Sequence, residues 1–364
     1  MKISELSTPV ALVEVDVMAR NLTRAVATCR TAGVRYRPHI KTHKMPALAA
    51  RQIKAGAAGI TCAKIGEAEV MAQAGLTNIF VAYPIVGRRR FERLAALAEK
   101  VHLCVGVDCA ETAGALAEFF RAHNRILDVL LEIDTGHQRC GVPPEKAEDL
   151  AAHLAGLGGI RLRGLFTHEG HVYSSGPVEE RLAQARQAGE QMTTVAQRLR
   201  SRDFGVEVVS VGSSPAQDAA CRVAGVTENR PGTNIFNDCT QVHLGACGWD
   251  DCALSYSCTV VSRPAPDRAV IDGGTKTFTS DKLGDPTYFG AVQGYPGARF
   301  LRASEEHGIL TLEDAAARRL RVGERIRVIP SHVCGSINLH DRAYGVQGEE
   351  VVEEWAIAAR GCVD

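Results

Sequence analysis

The sequence predicts an α/β protein: a (β/α)8 barrel of the TIM type, followed by a mostly β domain. Eight short β-rich runs alternate with helical stretches from about residue 34 to residue 230, and this alternation is typical of a parallel barrel. After about Cys247 the β-rich runs follow one another without long helices between them, as in a separate β domain. A doubly wound sheet is the main alternative to the barrel.

The barrel strands are predicted where β-branched and other apolar residues form short runs. In chain order they cover residues 36–40, 59–63, 79–82, 102–107, 127–133, 162–167, 206–211 and 225–230. The segments between them carry Ala, Leu, Glu, Arg and Gln at helical spacing. The predicted helices cover residues 65–74, 90–99, 111–123, 144–154 and 178–200, and another is expected to start near Pro46.

The second domain is predicted from short β-rich runs at residues 253–262, 268–271, 326–329, 342–347 and 352–356. We therefore expect a barrel over residues 8–246 and a β domain over residues 247–364. The N-terminal run at residues 10–15 can pair with either domain, so the N-terminal strand of residues 1–16 is a candidate to join the second one.

Composition excludes several classes of function. The chain has 364 residues and 45% apolar content, and 42 basic residues balance 42 acidic ones, so a large core is possible and neither nucleic acid nor an anionic membrane is expected as a partner. The start has no apolar segment with a cleavage site, and no run reaches membrane-spanning length, so a cytoplasmic protein is expected. The 12 cysteines form no Cys-x-x-Cys pair and are interpreted as reduced core residues.

Lys41 is the strongest candidate for a covalent catalyst. It follows the first predicted strand within His39-Ile40-Lys41-Thr42-His43-Lys44, and active sites of barrels lie at the carboxyl ends of the strands. Burial and neighbouring cations keep a lysine amine neutral, so that it can form an imine with a carbonyl group. The alternative for this run is a basic surface turn.

Other polar residues follow the later strands. After the fifth and sixth strands come Asp134, Thr135, Gly136, His137, Arg139, His168, Glu169, His171 and Tyr173; after the seventh and eighth come Gly212, Ser213, Ser214, Gly232, Thr233 and Asn234. The seventh and eighth turns of a barrel are a habitual phosphate site, although Gly-Ser-Ser is also an ordinary helix N-cap. A lysine that forms an imine and a phosphate site together indicate pyridoxal 5′-phosphate (PLP).

A candidate metal site lies in the second domain, within Pro330-Ser331-His332-Val333-Cys334. In a strand, residues two apart point to the same side, so His332 and Cys334 are predicted to offer an imidazole and a thiolate to one divalent ion. Two protein ligands leave positions open for water or substrate, which is typical of a catalytic metal. The alternative is a chance pairing of these residue types.

These motifs together resemble the metal-activated fold-type III PLP enzymes. The residues that carry the resemblance are Arg37-Pro38-His39-x-Lys41-x-His43-Lys44, Glu132-x-Asp134-x-Gly136-x-x-Arg139-Cys140-Gly141, Pro330-Ser331-His332-x-Cys334 and Asn338-Leu339-His340-Asp341. The group contains D-threonine aldolases, D-serine dehydratases and D-3-hydroxyaspartate lyases, and is distantly related to alanine racemase. The resemblance implies an alanine racemase-like barrel, a homodimer, PLP on Lys41 and a divalent metal on His332 and Cys334.

Within this group, cysteine at the second metal position resembles the dehydratases, whereas aldolases tend to have aspartate there. A thiolate favours Zn²⁺ over Mn²⁺ or Mg²⁺. The turn Thr167-His168-Glu169-Gly170-His171 also resembles the dehydratases. One departure concerns Asn234, because relatives commonly have Pro-Gly-Thr-Tyr where this chain has Pro-Gly-Thr-Asn.

The resemblance implies dehydration of a D-β-hydroxy amino acid such as D-serine, D-threonine or D-3-hydroxyaspartate to a 2-oxo acid and ammonia. Lys41 is then the general base for the α-proton, and the metal assists departure of the β-hydroxyl group. The main alternative is aldolase cleavage to glycine and an aldehyde, with His168 as a candidate base. A racemase that uses Tyr256 or Tyr288, or a non-catalytic PLP carrier, are the remaining alternatives.

Three further residues have open roles. His39 is expected to contact the cofactor. Arg139 is expected to bind the substrate carboxylate or the cofactor, and the alternative is a salt bridge to Asp134 or Glu132. His307 is a candidate to border the site of a partner subunit.

Overall fold

The computed structural model describes residues 1–174, 176–282 and 288–364. The chain forms two compact units: one contains Arg24–Lys41, Pro46–Gly232 and Cys362–Asp364, and the other contains Met1–Thr23, Thr42–Met45 and Thr233–Gly361. We call them the parallel unit and the β unit. The β unit takes up the chain at Thr233, so the expected boundary at residues 246/247 lies inside it. Its early start has a local cause, because the carbonyls of Ile235 and Phe236 accept hydrogen bonds from Asn21 and Ala253 of the same unit.

The first strand belongs to the β unit, and the next eight build the sheet of the parallel unit. In chain order they are β1 (Val10–Glu14), β2 (Arg35–Tyr36), β3 (Ile60–Cys62), β4 (Asn78–Val81), β5 (His102–Val107), β6 (Leu127–Glu132), β7 (Ile160–Phe166), β8 (Val208–Val211) and β9 (Glu228–Asn229). All eight strands predicted for this region are present.

Among the described residues, eight helices alternate with these strands and three more lie in the β unit. In chain order they are α1 (Val15–Ala32), α2 (Pro46–Lys54), α3 (Ile65–Gln73), α4 (Arg88–Ala98), α5 (Ala110–Ala122), α6 (Ala147–Ala155), α7 (Val178–Arg200), α8 (Gln217–Ala220), α9 (Cys239–His243), α10 (Thr275–Phe278) and α11 (Val333–Ile337). The helix predicted over residues 178–200 has those bounds in the structure. Helix α1 was not predicted, although Met18, Asn21, Ala25 and Cys29 form a buried stripe at helical spacing.

The sheet of the parallel unit has eight parallel strands in the order β2-β9-β8-β7-β6-β5-β4-β3. It curls, because the amides of Ala58, just before β3, and of Thr61, within β3, donate to the carbonyls of Tyr36, the last residue of β2, and of Pro38. Every residue of β6 is buried, as expected for a parallel strand that is covered on both faces. The carboxyl ends of the strands therefore lie along one rim, where the sequence places its polar residues.

The remaining strands belong to the β unit. They are β10 (Leu254–Ala265), β11 (Arg268–Ile271), β12 (Gly290–Val292), β13 (Ala298–Ala303), β14 (Gly308–Leu312), β15 (Arg325–Pro330), β16 (Arg342–Gln347) and β17 (Glu350–Ala356). The sheet order is β11-β14-β13-β12-β15-β10-β1-β16-β17. Strand β1 pairs with β10 and β16, so the N-terminal strand joins this sheet. Strands β12 and β13 were not predicted.

The β unit has its own aromatic core. Phe278 packs edge-to-face against both Tyr256 and Phe300, with ring centroids 5.1 Å apart in each pair.

In the part of the chain that the structure describes, no helix is both long enough and apolar enough to cross a membrane.

Candidate functional site

Lys41 lies just past β2 in the parallel unit. It is the middle residue of a 3-10 turn, Ile40–Thr42, and its side chain is partly buried. His39, two residues before Lys41, pairs with Thr61 of β3 through a parallel bridge. The Nδ1 atom of His39 accepts a hydrogen bond of 3.4 Å from the Lys41 amide. The sheet therefore fixes the backbone that carries the lysine.

Two neutral imidazoles accompany Lys41. Burial lowers the pKa of His39 well below its usual value, and the charges of Lys41, Arg230, His168 and Arg139 lower it further. Burial also lowers the pKa of His168 well below its usual value, and the charges of Lys41 and Arg139 lower it further. The structure thus brings Lys41, His39, His168 and Arg139 within electrostatic reach of one another.

His168 follows β7 and is held by the backbone. Its Nδ1 atom lies 3.3 Å from the carbonyl oxygen of Gly212, and a carbonyl only accepts, so the neutral ring carries its proton on Nδ1. The other nitrogen, Nε2, is left as an acceptor. The rings of His137 and His168 pack edge-to-face, with their centroids 5.5 Å apart. His168 therefore has the protonation state of a base.

The turn after β8 is built for close backbone approach. Gly212 has φ +145°, and a Cβ atom there would lie 2.5 Å from the backbone nitrogen of Arg230, so only glycine fits. Its amide donates to both carboxylate oxygens of Glu169, at 3.1 and 3.0 Å. The hydroxyl of Ser214 accepts a hydrogen bond of 3.2 Å from the amide of Gly232, which ties this turn to the one after β9.

Ser213 stands out in this turn. It is extended and precedes the 3-10 turn Ser214–Ala216, and it is 3% exposed. Its Oγ atom is buried, and no residue that the structure describes offers it a hydrogen-bond partner. A buried hydroxyl without a partner costs free energy. A phosphate oxygen would supply an acceptor, so the turn fits the phosphate of PLP.

The last two residues of the expected phosphate site belong to the β unit. Thr233 and Asn234 form the 3-10 turn Thr233–Ile235 and are both buried. Tyr173 ends the 3-10 turn Gly170–Tyr173 in the parallel unit and is partly buried.

An ionic network that the sequence did not predict lies beneath this rim. The buried Arg230 guanidinium donates to the Ser210 hydroxyl and the Thr167 carbonyl. Glu228 accepts from Arg37 at 2.8 Å and from Ser210 at 2.7 Å. These bonds link the carboxyl ends of β2, β7, β8 and β9. The sequence signal that could have revealed this network is Arg230 at the end of a buried strand. Its partners Ser210 and Thr167 are remote in sequence, so the signal alone does not identify them.

Arg139 is not held by the carboxylates that were considered as its alternative partners. Asp134 Oδ1 accepts from the amides of Gly136 and Gln138 at 2.9 and 3.0 Å, which stabilises its own turn. Among the described residues, neither Asp134 nor Glu132 forms an ion pair with the exposed Arg139. Burial raises the pKa of Glu132 to about 7, and the charge of Arg139 opposes this shift. The guanidinium can therefore bind an external carboxylate.

The two candidate metal ligands lie in the β unit, but not in a strand. Strand β15 ends at Pro330; His332 is the N-cap of α11, and Cys334 is in its first turn. The alternation argument used for them was therefore wrong. The two residues still lie close together at the start of the helix, where the Cys334 thiol raises the pKa of His332.

Acidic groups surround His332. Its Nδ1 atom lies 2.6 Å from Asp281 Oδ2. Asp238 is fully buried and accepts from the amides of Val333 and Gln241 at 2.9 and 3.0 Å, which holds the start of α11. Burial alone would lower the pKa of His332, but Cys334, Asp281 and Asp238 raise it well above its usual value. A thiol and two carboxyls around one imidazole fit a bound cation.

The candidate bases of the racemase alternative, Tyr256 and Tyr288, both lie in the β unit. Tyr256 is fully buried, burial raises the pKa of its phenol, and its ring stacks on His340 at 4.6 Å. The Tyr288 hydroxyl is hydrogen-bonded to His243 Nε2 at 2.8 Å. His307 lies exposed in the turn between β13 and β14; its expected place beside a partner subunit stays a prediction.

The fold and the site define the class of alanine racemase-like, fold-type III PLP enzymes. The family model "Alanine racemase, N-terminal domain" matches residues 13–239, and "Putative serine dehydratase domain" matches residues 253–346. The chain belongs to the alanine racemase N-terminal domain family, in the group that also carries the serine dehydratase domain. The resemblance inferred from the motifs is confirmed.

Several relatives match almost the whole chain. A D-threo-3-hydroxyaspartate dehydratase of Delftia sp. (strain HT23) is 36% identical over 350 residues, which cover 91% of this chain and 92% of the relative. A D-threonine aldolase of Arthrobacter sp. is 32% identical and covers 99% and 94%. The crystal structure of D-threonine aldolase from Filomicrobium marinum has a TM-score of 0.93 at 34% identity and covers 100% and 98%.

Structures of variants of the dehydratase bear on the metal. A cysteine-to-alanine mutant of D-threo-3-hydroxyaspartate dehydratase, described as metal-free, has a TM-score of 0.91 at 32% identity and covers 98% of each chain. In another structure of that enzyme a histidine is replaced by alanine, and the two replaced residues are two positions apart.

Proposed function

We propose that this protein is a PLP- and divalent-metal-dependent lyase that dehydrates D-β-hydroxy amino acids to a 2-oxo acid and ammonia. The observation that carries the proposal is the placement of His332 and Cys334 together at the start of α11, in a chain that also presents Lys41 among neutral imidazoles. The dehydratase relative of Delftia sp. supports this choice.

The proposed cofactor site uses the rim of the parallel unit, which we propose to be a closed (β/α)8 barrel. Lys41 holds PLP covalently, and the residues proposed to surround the cofactor are His39, Arg139, His168, Tyr173, Gly212, Ser213, Ser214, Gly232, Thr233 and Asn234. When bound, PLP supplies an electron sink for negative charge at the substrate Cα.

The side chains of the chain then have distinct roles. Once the amino group of the substrate has replaced it on the cofactor, the released amine of Lys41 would take the α-proton as general base. The neutral rings of His39 and His168 add no positive charge near the amine, so they do not repel a proton that moves to it. Arg139, which forms no ion pair with the residues that the structure describes, binds the substrate carboxylate through its planar fork of donors. These roles predict that loss of Arg139 raises KM more than it lowers kcat.

The proposed metal site consists of His332 and Cys334, with Asp281 Oδ2 at 2.6 Å from Nδ1 of the imidazole ring. A thiolate ligand favours Zn²⁺ over Mn²⁺ or Mg²⁺. When bound, the ion supplies a Lewis acid for a substrate hydroxyl group. Two protein ligands leave coordination positions for that oxygen and for water.

We also propose a homodimer, which sedimentation of the holoenzyme would test.

The second candidate function is aldolase cleavage of the same substrates to glycine and an aldehyde. Two observations favour it: the D-threonine aldolases of Arthrobacter sp. and Filomicrobium marinum match the chain almost end to end, and His168 has an acceptor nitrogen. In this reaction a base removes the proton of the β-hydroxyl group and the Cα–Cβ bond breaks, whereas dehydration needs loss of the α-proton.

The test is an end-product assay of the purified holoenzyme with D-serine, D-threonine and D-threo-3-hydroxyaspartate. Keto acid and ammonia that disappear with EDTA and return with Zn²⁺ would support the dehydratase. Glycine and an aldehyde would make the protein an aldolase. A substrate deuterated at Cα gives an independent measurement, because an absent primary isotope effect together with absent α-exchange would contradict dehydration through Lys41.

A further inference from the structure

The sulfur atom of Cys334 has two threonine neighbours in the β unit. Thr42 Oγ1 lies 3.3 Å from it and Thr233 Oγ1 lies 3.7 Å from it. Thr42 is fully buried and Thr233 is 6% exposed. Two buried hydroxyls directed at one sulfur atom are an arrangement that a thiolate uses, because each hydroxyl can donate to its negative charge.

The two threonines occupy special positions in the sequence. Thr42 directly follows Lys41, and Thr233 directly follows Gly232 of the proposed phosphate site. Each is thus one peptide bond from a residue proposed to hold PLP, while its hydroxyl contacts a proposed metal ligand. The contact between Thr42 and Cys334 joins residues 292 positions apart.

The segment that carries Thr42 is tightly held. Lys44 has φ +57°, a conformation that non-glycine residues rarely adopt. Its ammonium group donates to Asn338 Oδ1 at 2.8 Å, and Asn338 is the residue that ends α11. The Lys44 carbonyl also accepts a hydrogen bond of 3.1 Å from the Ala359 amide. Residues 42–45 therefore contact both ends of α11, through Thr42 at its first turn and through Lys44 at its C-terminal end.

We propose that Thr42, supported by Thr233, is the positioning residue for Cys334, and that it makes metal binding and cofactor binding mutually dependent. The inference rests on the proposed metal and PLP sites. A donor on a ligand atom orients it and tunes its affinity for the metal. A metal that fixes Cys334 also fixes Thr42, and so limits the freedom of the adjoining Lys41. Coupling of this kind is reciprocal.

An isosteric pair of variants tests the positioning role. Thr42→Val keeps the shape and removes the hydroxyl, while Thr42→Ser keeps the hydroxyl. We expect Thr42→Val to lower Zn²⁺ affinity about tenfold, measured by competition with a chromogenic chelator, and Thr42→Ser to stay within about twofold of the wild type. Thr277→Val, a buried threonine of the same unit, is the control and should leave the affinity unchanged.

Cofactor affinity is the second measurement. In the wild type, saturating Zn²⁺ should tighten PLP binding about fivefold or more, measured by the visible absorbance of the bound cofactor, and in Thr42→Val this ratio should fall toward one. Thr233→Val, whose contact is longer, should have a smaller effect in the same direction. Equal Zn²⁺ affinity in wild type and Thr42→Val, or an unchanged ratio, would overturn the inference.

His332→Ala and Cys334→Ala separate this outcome from failure of the proposed function. If both variants keep Zn²⁺ at wild-type affinity, the metal site itself is wrong and the inference is overturned with it. If both lose Zn²⁺ while Thr42→Val does not, only the role of Thr42 is wrong. If Thr42→Val folds poorly, Thr233→Val and Thr42→Ser still decide the matter, because Thr233→Val must weaken Zn²⁺ binding and Thr42→Ser must not.

Discussion

At the residue scale, Ser213 carries a buried hydroxyl without a partner among the described residues. We expect Ser213→Ala to raise the free energy of unfolding of the cofactor-free protein by about 1 kcal/mol, because an unsatisfied buried group costs about that much. The same variant should lower PLP affinity about tenfold, because it removes a charge-assisted hydrogen bond worth about 1.5–3 kcal/mol. Chemical denaturation and a PLP titration measure the two effects.

The opposite signs make this prediction specific. Ser201→Ala, at an exposed serine of the same unit, should change neither quantity appreciably. A Ser213→Ala protein that binds PLP as tightly as the wild type would remove Ser213 from the phosphate site.

Lys41 should be the residue that holds the cofactor. Lys41→Ala is expected to abolish the visible absorbance band of a protein-bound PLP imine, because no other amine of the proposed site replaces it. Circular dichroism should show the secondary structure unchanged. Lys54→Ala, at an exposed lysine of α2, should keep the band. Persistence of the band without Lys41 would refute the cofactor assignment.

Asp281 should tune the metal through His332. Asp281→Asn keeps the shape of the side chain and removes its charge, so the imidazole becomes a weaker ligand. We expect Zn²⁺ affinity to fall about tenfold, the lower end for such partners, since the Asp281 side chain is 44% exposed. Chelator competition measures the change, with the exposed Asp267→Asn as control. Complete loss of Zn²⁺, as expected for His332→Ala, would make Asp281 a direct ligand instead.

At the element scale, the turn between β8 and its 3-10 turn depends on Gly212. Gly212→Ala would place a Cβ atom 2.5 Å from the Arg230 nitrogen at φ +145°. We expect the free energy of unfolding to fall by about 3 kcal/mol or more, because both strain and overlap with backbone must be relieved. Gly33→Ala is the matched control, since Gly33 has φ +69° and open space around its Cβ position.

Comparison with Gly33→Ala separates the cost of the overlap with Arg230 from the cost of the positive φ angle. Gly33→Ala should cost about 1 kcal/mol, the usual cost of a left-handed conformation for alanine. Thermal or denaturant unfolding of the two variants measures the difference. Equal losses in both would mean that the turn can move away from Arg230, and that its close approach is not built into the fold.

At the scale of the whole molecule, the buried Glu132 should make stability depend on pH. Its pKa rises from 4.5 to about 7 on folding, so the folded protein binds more protons than the unfolded chain between these values. The free energy of unfolding contributed by this group therefore falls as pH rises through that window, by roughly 3 kcal/mol. Below pH 4.5 both states are protonated and the contribution vanishes.

Glu132→Gln should remove this fall. Compared with the wild type, the cofactor-free variant should be equally stable near pH 4 and more stable above pH 7. Denaturation at a series of pH values measures the difference, and Glu118→Gln, at an exposed glutamate, should follow the wild type. A constant difference across the whole pH range would show that Glu132 does not change its protonation on folding.

Much of the parallel unit was determined by the sequence itself. Strand positions and the polar residues after them follow from local patterns, since side-chain periodicity and turn chemistry are properties of neighbouring residues. Lys41, His168 and Gly212 could therefore be named as candidates before their surroundings were known. The candidate metal ligands His332 and Cys334 were also named, although on the wrong local structure, because a strand end and a helix start leave similar short patterns.

Only the tertiary structure decided which groups meet. Asp281 reaches His332 across 51 positions, Arg230 reaches Thr167 across 63, and Thr42 reaches Cys334 across 292. The start of the β unit at Thr233 and its strands β12 and β13 were likewise settled by packing. The physical reason is that these contacts depend on how distant segments bury their surfaces together, and no local periodicity encodes that choice.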